Sequence, residues 1–161
     1  MAYYRCIGSG GSPQPQPSEA VRLCYVEYVM NDRVEIPTID TIDTSSSYSS
    51  YLSYDSNTKK FTVLQPFKAI ITAWVEQQSN ASSKAKGSFY INNTNVILPF
   101  ETPTANAGSK NGATKCFNLS QGDTFYSYTP STNGWPEQRL KVYITDLSNG
   151  VDIFEFDDEN T

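Results

Sequence analysis

The chain has 161 residues, a formal net charge of −5, 18% charged residues and no histidine. Its length suits one domain with a short appendage, and its negative charge argues against nucleic-acid binding, because a phosphate backbone would be repelled. Histidine is the commonest general base and the commonest transition-metal ligand, so we expect neither an enzyme nor a bound cofactor or metal.

The first 18 residues are predicted to be a tether and linker ahead of a folded domain at 19–161. A tyrosine-rich head containing Tyr3, Tyr4 and Ile7 precedes GSGGSPQPQP, a composition typical of a flexible to extended linker. The head lacks the apolar core of a secretory signal, and no segment is apolar over the length of a membrane span. We therefore expect synthesis in a cytoplasm without membrane contact. The head is either a frayed terminus or a plug that inserts into another protein.

The first elements of the domain are predicted to be strands. Residues 19–30 are rich in Val and Tyr, which favours a strand over a helix. A turn at 31–32 leads into a short strand at 33–36, which Pro37 ends. Residues 38–53 repeat Thr-Ile-Asp and then alternate Ser with Tyr, so they predict a loop or an irregular edge strand.

The most regular segment is 54–77, which predicts a turn, a short strand, a second turn and one long strand. Because alternate side chains of a strand point to opposite faces, one apolar face is lined by Phe67, Ala69, Ile71, Ala73 and Val75. The opposite face carries Ile70 and Trp74 between charged ends. We expect a strand that is covered fully on one face and partly on the other.

The second half of the chain is predicted to continue as strands. Asn92-Asn93 suits a hairpin turn between strands at 87–91 and 95–100. A long loop at 101–113 precedes strands at 115–119, 124–129, 139–147 and, after Asn149-Gly150, 151–156. Nine or ten strands without a convincing helix indicate an all-β, antiparallel β-sandwich or jelly roll with a short extended N-terminal arm.

The segment from Tyr54 onwards resembles the signature of the trimeric jelly-roll superfamily, which comprises tumour necrosis factor and the globular head of complement subcomponent q. The residues that match are Tyr54, Asp55, Lys60, Phe61 and Val63. Further on, GSFYIN at 87–92 resembles a family strand that ends in an Asn-Gly turn, and LSQGD at 119–123 resembles the Leu-x-x-Gly-Asp segment. The family's glycines are missing from the turn at 57–59 and after Pro66.

The resemblance implies a homotrimer that buries aromatic residues about a threefold axis. Independently, Ile70, Trp74, Tyr126 and Tyr128 lie on strand faces opposite the core-facing residues, and a monomer would expose them. We predict these four as the oligomer interface, the alternative being that a second sheet or the N-terminal strands cover them.

Similar jelly rolls occur in bacteriophage fibres, spikes and decoration proteins, and a His-free, Ser/Thr/Asn/Tyr-rich chain with an N-terminal tether resembles such a virion protein. We therefore predict a head fibre, tail fibre or decoration protein of a virion, made in the host cytoplasm. Tyr3, Tyr4 and Ile7 would attach it to a capsid or tail protein.

Trp135 beside Asn133 is the predicted ligand contact, because aromatic rings stack on sugars and amides bond their hydroxyls; a host-surface glycan is the candidate partner. The alternative is that Trp135 caps the end of the sandwich.

Two other functions remain open: a free carbohydrate-binding or adhesion module, and a secreted trimeric ligand, which the missing signal disfavours. Acidic residues in turns and in the tail are interpreted as surface charge, although calcium at Asp40 and Asp43, or at 157–159, is an alternative.

The three cysteines, Cys6, Cys24 and Cys116, are odd in number and far apart. We predict free thiols, with Cys24 packed in a strand, because an odd count does not suit a disulfide framework. A disulfide between Cys24 and Cys116 is the alternative.

Overall fold

The computed structural model describes residues 20–30, 36–129 and 137–147, with the side chains of 95–99 excepted. This part of the chain forms two antiparallel five-stranded sheets that face each other. In sheet I, neighbouring strands follow the order β2 (Thr41–Thr44), β1 (Val21–Met30), β10 (Gln138–Asp146), β5 (Phe67–Gln77) and β8 (Lys110–Leu119). In sheet II, the order is β3 (Leu52–Asp55), β4 (Lys60–Val63), β9 (Thr124–Tyr128), β6 (Lys86–Ile91) and β7 (Thr94–Glu101). The predicted jelly-roll sandwich is confirmed.

The core lies between the two sheets and follows the alternation of the strands. On β5, the five residues predicted to share one face are all at most 5% exposed: Phe67, Ala69, Ile71, Ala73 and Val75. Leu140, Val142 and Ile144 of β10 are buried beside them, as predicted. Sheet II contributes stacked rings, with the centroids of Phe61 and Phe125 4.9 Å apart. Because each buried aliphatic or aromatic side chain contributes about 1.5–3 kcal/mol, this layer dominates the stability of the fold.

Tight turns connect the strands where the backbone enters the left-handed region. Asn92 and Asn93 have φ of 49° and 63°, which confirms the predicted two-residue turn between β6 and β7. Gly122 has φ 89° in the turn before β9. Lys59 adopts φ 58° in the turn before β4, and its ammonium donates to the Ile36 carbonyl oxygen at 3.0 Å. This turn therefore forms without the glycine that the resembling family has there.

A buried glutamine joins the loops at one end of the sandwich. The side chain of Gln77, at the end of β5, is 0% exposed. Its amide nitrogen donates to the carbonyl oxygens of Ser79, Ser83 and Ala105 at 3.0, 3.4 and 2.6 Å. Its amide oxygen accepts from the Ala85 N–H at 3.0 Å. Gln77 thus continues the inward face of β5 but binds loops instead of packing against apolar side chains.

The prediction for residues 38–53 is confirmed in part, because strand β2 lies at the edge of sheet I. That segment contains the edge strand β2, the start of β3 and one helical turn, α1 (Tyr48–Tyr51), where no helix was predicted. The turn forms because the Tyr48 and Ser50 N–H groups donate to the Ser45 and Ser47 carbonyls, and Tyr48 and Tyr51 pack against the core. Of the predicted strand at 33–36, Ile36 is described and lies in a bend. The predicted strand at 151–156 lies outside the described residues.

The predicted long loop at 101–113 is wrong at its ends, because β7 extends to Glu101 and β8 begins at Lys110. The glycine of Asn111-Gly112 lies in β8, where it allows the strand to approach β5 closely, and not in a turn. A Cβ on Gly112 would lie 2.4 Å from Trp74 Cβ and 2.5 Å from the Ala73 carbonyl oxygen. Only glycine allows β8 to pair with β5 at this position.

Cys24 and Cys116 are free thiols, as predicted, so the alternative disulfide between them is wrong. Cys24 is buried on β1 and Cys116 is exposed on β8, with β10 and β5 between the two strands. Strands lie about 4.8 Å apart, a separation that puts the two thiols far outside disulfide range. Cys6 lies outside the described residues. The described part of the chain contains no helix long and apolar enough to cross a membrane.

Candidate functional site: two aromatic sheet faces

The outer face of sheet I carries a ladder of three aromatic rings across its central strands. Tyr25 of β1, Tyr143 of β10 and Trp74 of β5 all point away from the core and are half-buried. The ring centroids of Tyr25 and Tyr143 are 4.7 Å apart, and those of Tyr143 and Trp74 are 5.1 Å apart with 20° between the planes. We call these three residues the aromatic ladder. Ile70, also half-buried, lies on the same face of β5, opposite Cys116 of β8.

Charged groups surround the ladder, and they are paired within the chain. The Tyr25 hydroxyl donates to Glu27 Oε2 at 2.7 Å, and Arg139 Nη1 donates to Glu27 Oε1 at 3.2 Å. Partial burial, followed by the hydrogen bond to Glu27, raises the pKa of Tyr25. Glu76 is paired with Lys110 and Lys141 at 3.4 and 3.7 Å. The carboxylate-bearing side chains of Glu27 and Glu76 are only 16% and 18% exposed, so this face already holds its charges close to the rings.

Two uncharged polar side chains on this face are also paired within the chain. The hydroxyl oxygens of Thr72 and Thr114 lie 2.9 Å apart and bond each other across β5 and β8. At the rim, Arg22 pairs with Asp43 at 3.2 Å, and both side chains remain more than half exposed. The face therefore has an aromatic and aliphatic centre, internally paired charges next to it, and a solvated rim.

The outer face of sheet II carries a second aromatic group, which we call the tyrosine cluster: Tyr90, Tyr126, Tyr128, Lys60 and Asn93. The rings of Tyr90 and Tyr126 stack with centroids 5.3 Å apart and 9° between the planes, and Tyr128 meets Tyr90 edge-on at 5.3 Å. Lys60 Nζ lies 4.6 Å from the centroid of Tyr126. Asn93 Oδ1 accepts from Lys60 Nζ at 3.2 Å and from the Tyr126 hydroxyl at 3.3 Å.

The four residues predicted as one interface are divided between the two faces. Ile70 and Trp74 lie on the outer face of sheet I, whereas Tyr126 and Tyr128 lie on the outer face of sheet II, on the other side of the sandwich. Grouping them as one surface is therefore wrong. Alternation along a strand shows which residues share a face of that strand, but it does not show which sheet the strand joins.

The sequence prediction missed Tyr25 and Tyr143, which complete the aromatic ladder. Each alternates with buried neighbours, Val26 and Val142 among them, and this alternation would have marked both tyrosines as outward-facing. Their stacking on Trp74 depends on the order β1-β10-β5, which joins distant parts of the chain.

Other predicted site residues lie outside the described residues: Trp135, Asn133, Tyr3, Tyr4 and Ile7. Within the described ranges, no group of three or more His, Cys, Asp or Glu side chains could hold a metal ion. Asp40 accepts a hydrogen bond from the Val29 N–H, and Asp43 pairs with Arg22, so these two carboxylates are engaged by the chain itself. The other residues considered for calcium, 157–159, lie outside the described residues.

Comparison with known proteins gives similarity in fold. No protein-family model and no curated protein matches the chain. Among solved structures, Eiger TNF from S. frugiperda matches with a TM-score of 0.50 and 8% identity, over 84% of this chain and 98% of that one. The globular domain of the zebrafish complement 1qA protein matches with a TM-score of 0.49 and 11% identity, over 75% and 94%. GITRL from bushbaby matches with 0.49 and 10%, over 81% and 98%. The similarity to Eiger TNF confirms the predicted fold, a jelly roll of the tumour-necrosis-factor type.

Proposed function

We propose that the chain is the homotrimeric jelly-roll module of a structural bacteriophage virion protein, assembled through the outer face of sheet I. The observation that supports this assembly is that the carboxylates and threonines on that face already have partners within the chain. The aromatic ladder and Ile70 offer apolar area, while Glu27, Glu76 and the threonine pair are already bonded within the chain.

This pairing matters because covering a face removes water from every group on it. An uncompensated charge that becomes buried costs several kcal/mol, whereas a charge that keeps its partner does not incur the whole of that penalty. Glu27 keeps both Tyr25 and Arg139 as donors, and Glu76 keeps two ammonium groups. Another copy can therefore cover the ladder without leaving these carboxylates unpaired.

The number of copies follows from the family resemblance, which implies three. A closed threefold ring requires that each copy contribute two different surfaces, because such an interface is heterologous. The outer face of sheet I would be one of these surfaces, and a different surface of the neighbour would cover it. Tyr and Trp rings bury about 150–250 Å² each, so the ladder supplies the kind of apolar centre that stable interfaces have.

Size-exclusion chromatography with multi-angle light scattering tests the assembly. The expected mass at micromolar concentration is three times the chain mass of 17.9 kDa. Ile70→Glu places a charge at the centre of the face, where no cation lies opposite it in register, and is expected to give monomers. Thr62→Glu is the matched control, since Thr62 is a half-buried outward residue of sheet II and its variant should remain trimeric. A wild-type monomer, or two variants of equal mass, would contradict the proposal.

The virion role is supported by the tether predicted at residues 1–18, by the Ser/Thr/Asn/Tyr-rich composition and by the absence of histidine, which disfavours an enzymatic role. The protein would be made in the host cytoplasm and attached to a capsid or tail protein by its N-terminal segment. Deleting residues 1–18 should abolish incorporation into particles while leaving the trimer intact. A deletion variant that is still incorporated normally would contradict the tether, and a free adhesion module would retain its ligand binding without any particle.

A further inference from the structure

The tyrosine cluster carries hydrogen-bond donors for which no described residue serves as acceptor. Asn93 Oδ1 accepts from both Lys60 and Tyr126, so the oxygen end of this amide is occupied. Among the described residues, neither the Asn93 amide nitrogen nor the Tyr90 hydroxyl has a hydrogen-bond partner. Lys60 has three N–H donors and gives one to Asn93, while its charge rests on the Tyr126 ring.

The carboxylates nearest to the cluster in register or along the chain are engaged by their own turns. Asp55 lies opposite Lys60 in register, but its oxygens accept from the Asn57 N–H at 2.8 Å and the Thr58 hydroxyl at 2.9 Å. These bonds lower the pKa of Asp55. Asp123 accepts from the Asn92 amide at 2.7 Å and from the Ser120 N–H at 2.8 Å.

The cluster itself therefore combines one cation with unused N–H and O–H donors and contains no carboxylate. A ligand that complements the cluster carries an anionic hydrogen-bond acceptor with hydroxyl groups beside it. The turn holds this arrangement in place, because Asn92 clamps the hairpin to the start of β9 through the Thr124 N–H at 2.9 Å. Asn93 is thereby fixed above Lys60 and Tyr126.

We infer that the tyrosine cluster is a binding site for a carboxylate-bearing sugar. Lys60 and the Asn93 amide would donate to the carboxylate, and the Tyr90 hydroxyl would bond a ring hydroxyl. Because Tyr90 and Tyr126 stack on each other, their edges and hydroxyls rather than their faces are presented, so recognition is by hydrogen bonds and not by flat stacking. A single lysine on a chain of net charge −5 suits one negative charge per sugar and disfavours a polyanion such as nucleic acid. This site lies on sheet II, opposite the proposed assembly face, and its residues all come from one chain.

The test compares acidic sugars with neutral partners of the same shape. Galacturonic acid and its methyl ester, and 3′-sialyllactose and its methyl ester, are titrated into the full chain at low ionic strength and followed by NMR. At least one acidic sugar should bind with a dissociation constant of about 1 mM, and its neutral partner should bind about tenfold more weakly or not at all. The first pair tests for a uronate ligand, and the second pair tests for a sialate ligand.

Variants assign the binding to the cluster. Asn93→Asp tolerates the left-handed backbone and still accepts from Lys60 and Tyr126, but it replaces the unused donor with a negative oxygen. It should weaken binding of the acidic sugar by about tenfold or more, as should Lys60→Gln, because each removes a charge-assisted hydrogen bond. Lys115→Gln, on β8 of sheet I, removes the same charge and should change the affinity less than about twofold.

The inference is overturned if neither acidic sugar binds at about 10 mM, if the neutral partners bind equally well, or if all three variants lose affinity to the same extent. Loss confined to Asn93→Asp and Lys60→Gln supports it. A chain that binds the acidic sugar as a monomer would refute the trimer while leaving this site intact, so the two proposals fail separately.

Discussion

Replacing the buried glutamine at the end of β5 should destabilise the domain strongly. Gln77→Leu preserves side-chain volume but removes an amide that bonds Ser79, Ser83, Ala85 and Ala105. The Ala85 N–H retains the Thr102 hydroxyl at 3.1 Å, and the Ala105 carbonyl retains the Ala81 N–H at 3.1 Å but loses its shortest contact, at 2.6 Å. The loss of a hydrogen bond within the chain costs about 0.5–1.5 kcal/mol, so the loss of the amide's bonds to three carbonyl oxygens gives about 3 kcal/mol in total. For a domain of this size, that corresponds to a decrease of about 6–12 °C in the melting temperature.

Thermal and urea unfolding measure this difference, at equal protein concentrations because assembly shifts apparent stability. Gln78→Leu is the matched control, since its side chain is half-exposed on the adjacent position and no side-chain bond to a described residue depends on it. It should change the free energy of unfolding by less than about 0.5 kcal/mol. A Gln77→Leu variant as stable as the control would show that water replaces the amide at no cost, and the reasoning from buried hydrogen bonds would be wrong.

Three further changes follow from the same structure. Gly112→Ala should destabilise the domain by about 2 kcal/mol or more and shift the Trp fluorescence, because its Cβ would lie 2.4 Å from Trp74 Cβ; an unchanged melting temperature would contradict the close approach of β8 to β5. In a Cys6→Ser, Ile70→Glu monomer, whose sheet I face is not covered by another copy, Cys116 should react with a thiol reagent in the folded state and Cys24 only after unfolding, because Cys24 is buried; labelling of two thiols per folded chain would contradict this. Burial raises the pKa of Cys24 from 9.0 to about 12, so the folded chain retains a proton that the unfolded chain releases. Stability should therefore fall by about 1.4 kcal/mol per pH unit above pH 9 from this group alone, and Cys24→Ala, assayed by urea unfolding between pH 8 and 11, should reduce that slope.

Alternation along single strands was readable from the sequence because a side chain's face depends only on its own backbone. The burial of β5 and β10 followed from it, and so did the outward position of Ile70 and Trp74. The turn at Asn92-Asn93 was also predictable, because asparagine tolerates positive φ. These are local properties, and the sequence contains them in full.

Features that depend on neighbouring strands were not readable in this way. Gly112 has the sequence signature of a loop, and only its pairing with Trp74 explains it as a strand residue. Gln77 ends a strand pattern with a polar residue, and only the surrounding loops make it a buried anchor. The separation of Ile70 and Trp74 from Tyr126 and Tyr128 was likewise invisible, since all four fit one face equally well by alternation.

The sequence by itself determined the fold class, most of the strands and the face on which each outward side chain lies. The tertiary structure decided which outward residues become neighbours: the aromatic ladder assembles from β1, β10 and β5, and the tyrosine cluster from β4, the β6–β7 hairpin and β9. The physical reason is that strand order is set by long-range hydrogen bonding and core packing, whereas the pleat that orients each side chain is a property of a few consecutive residues.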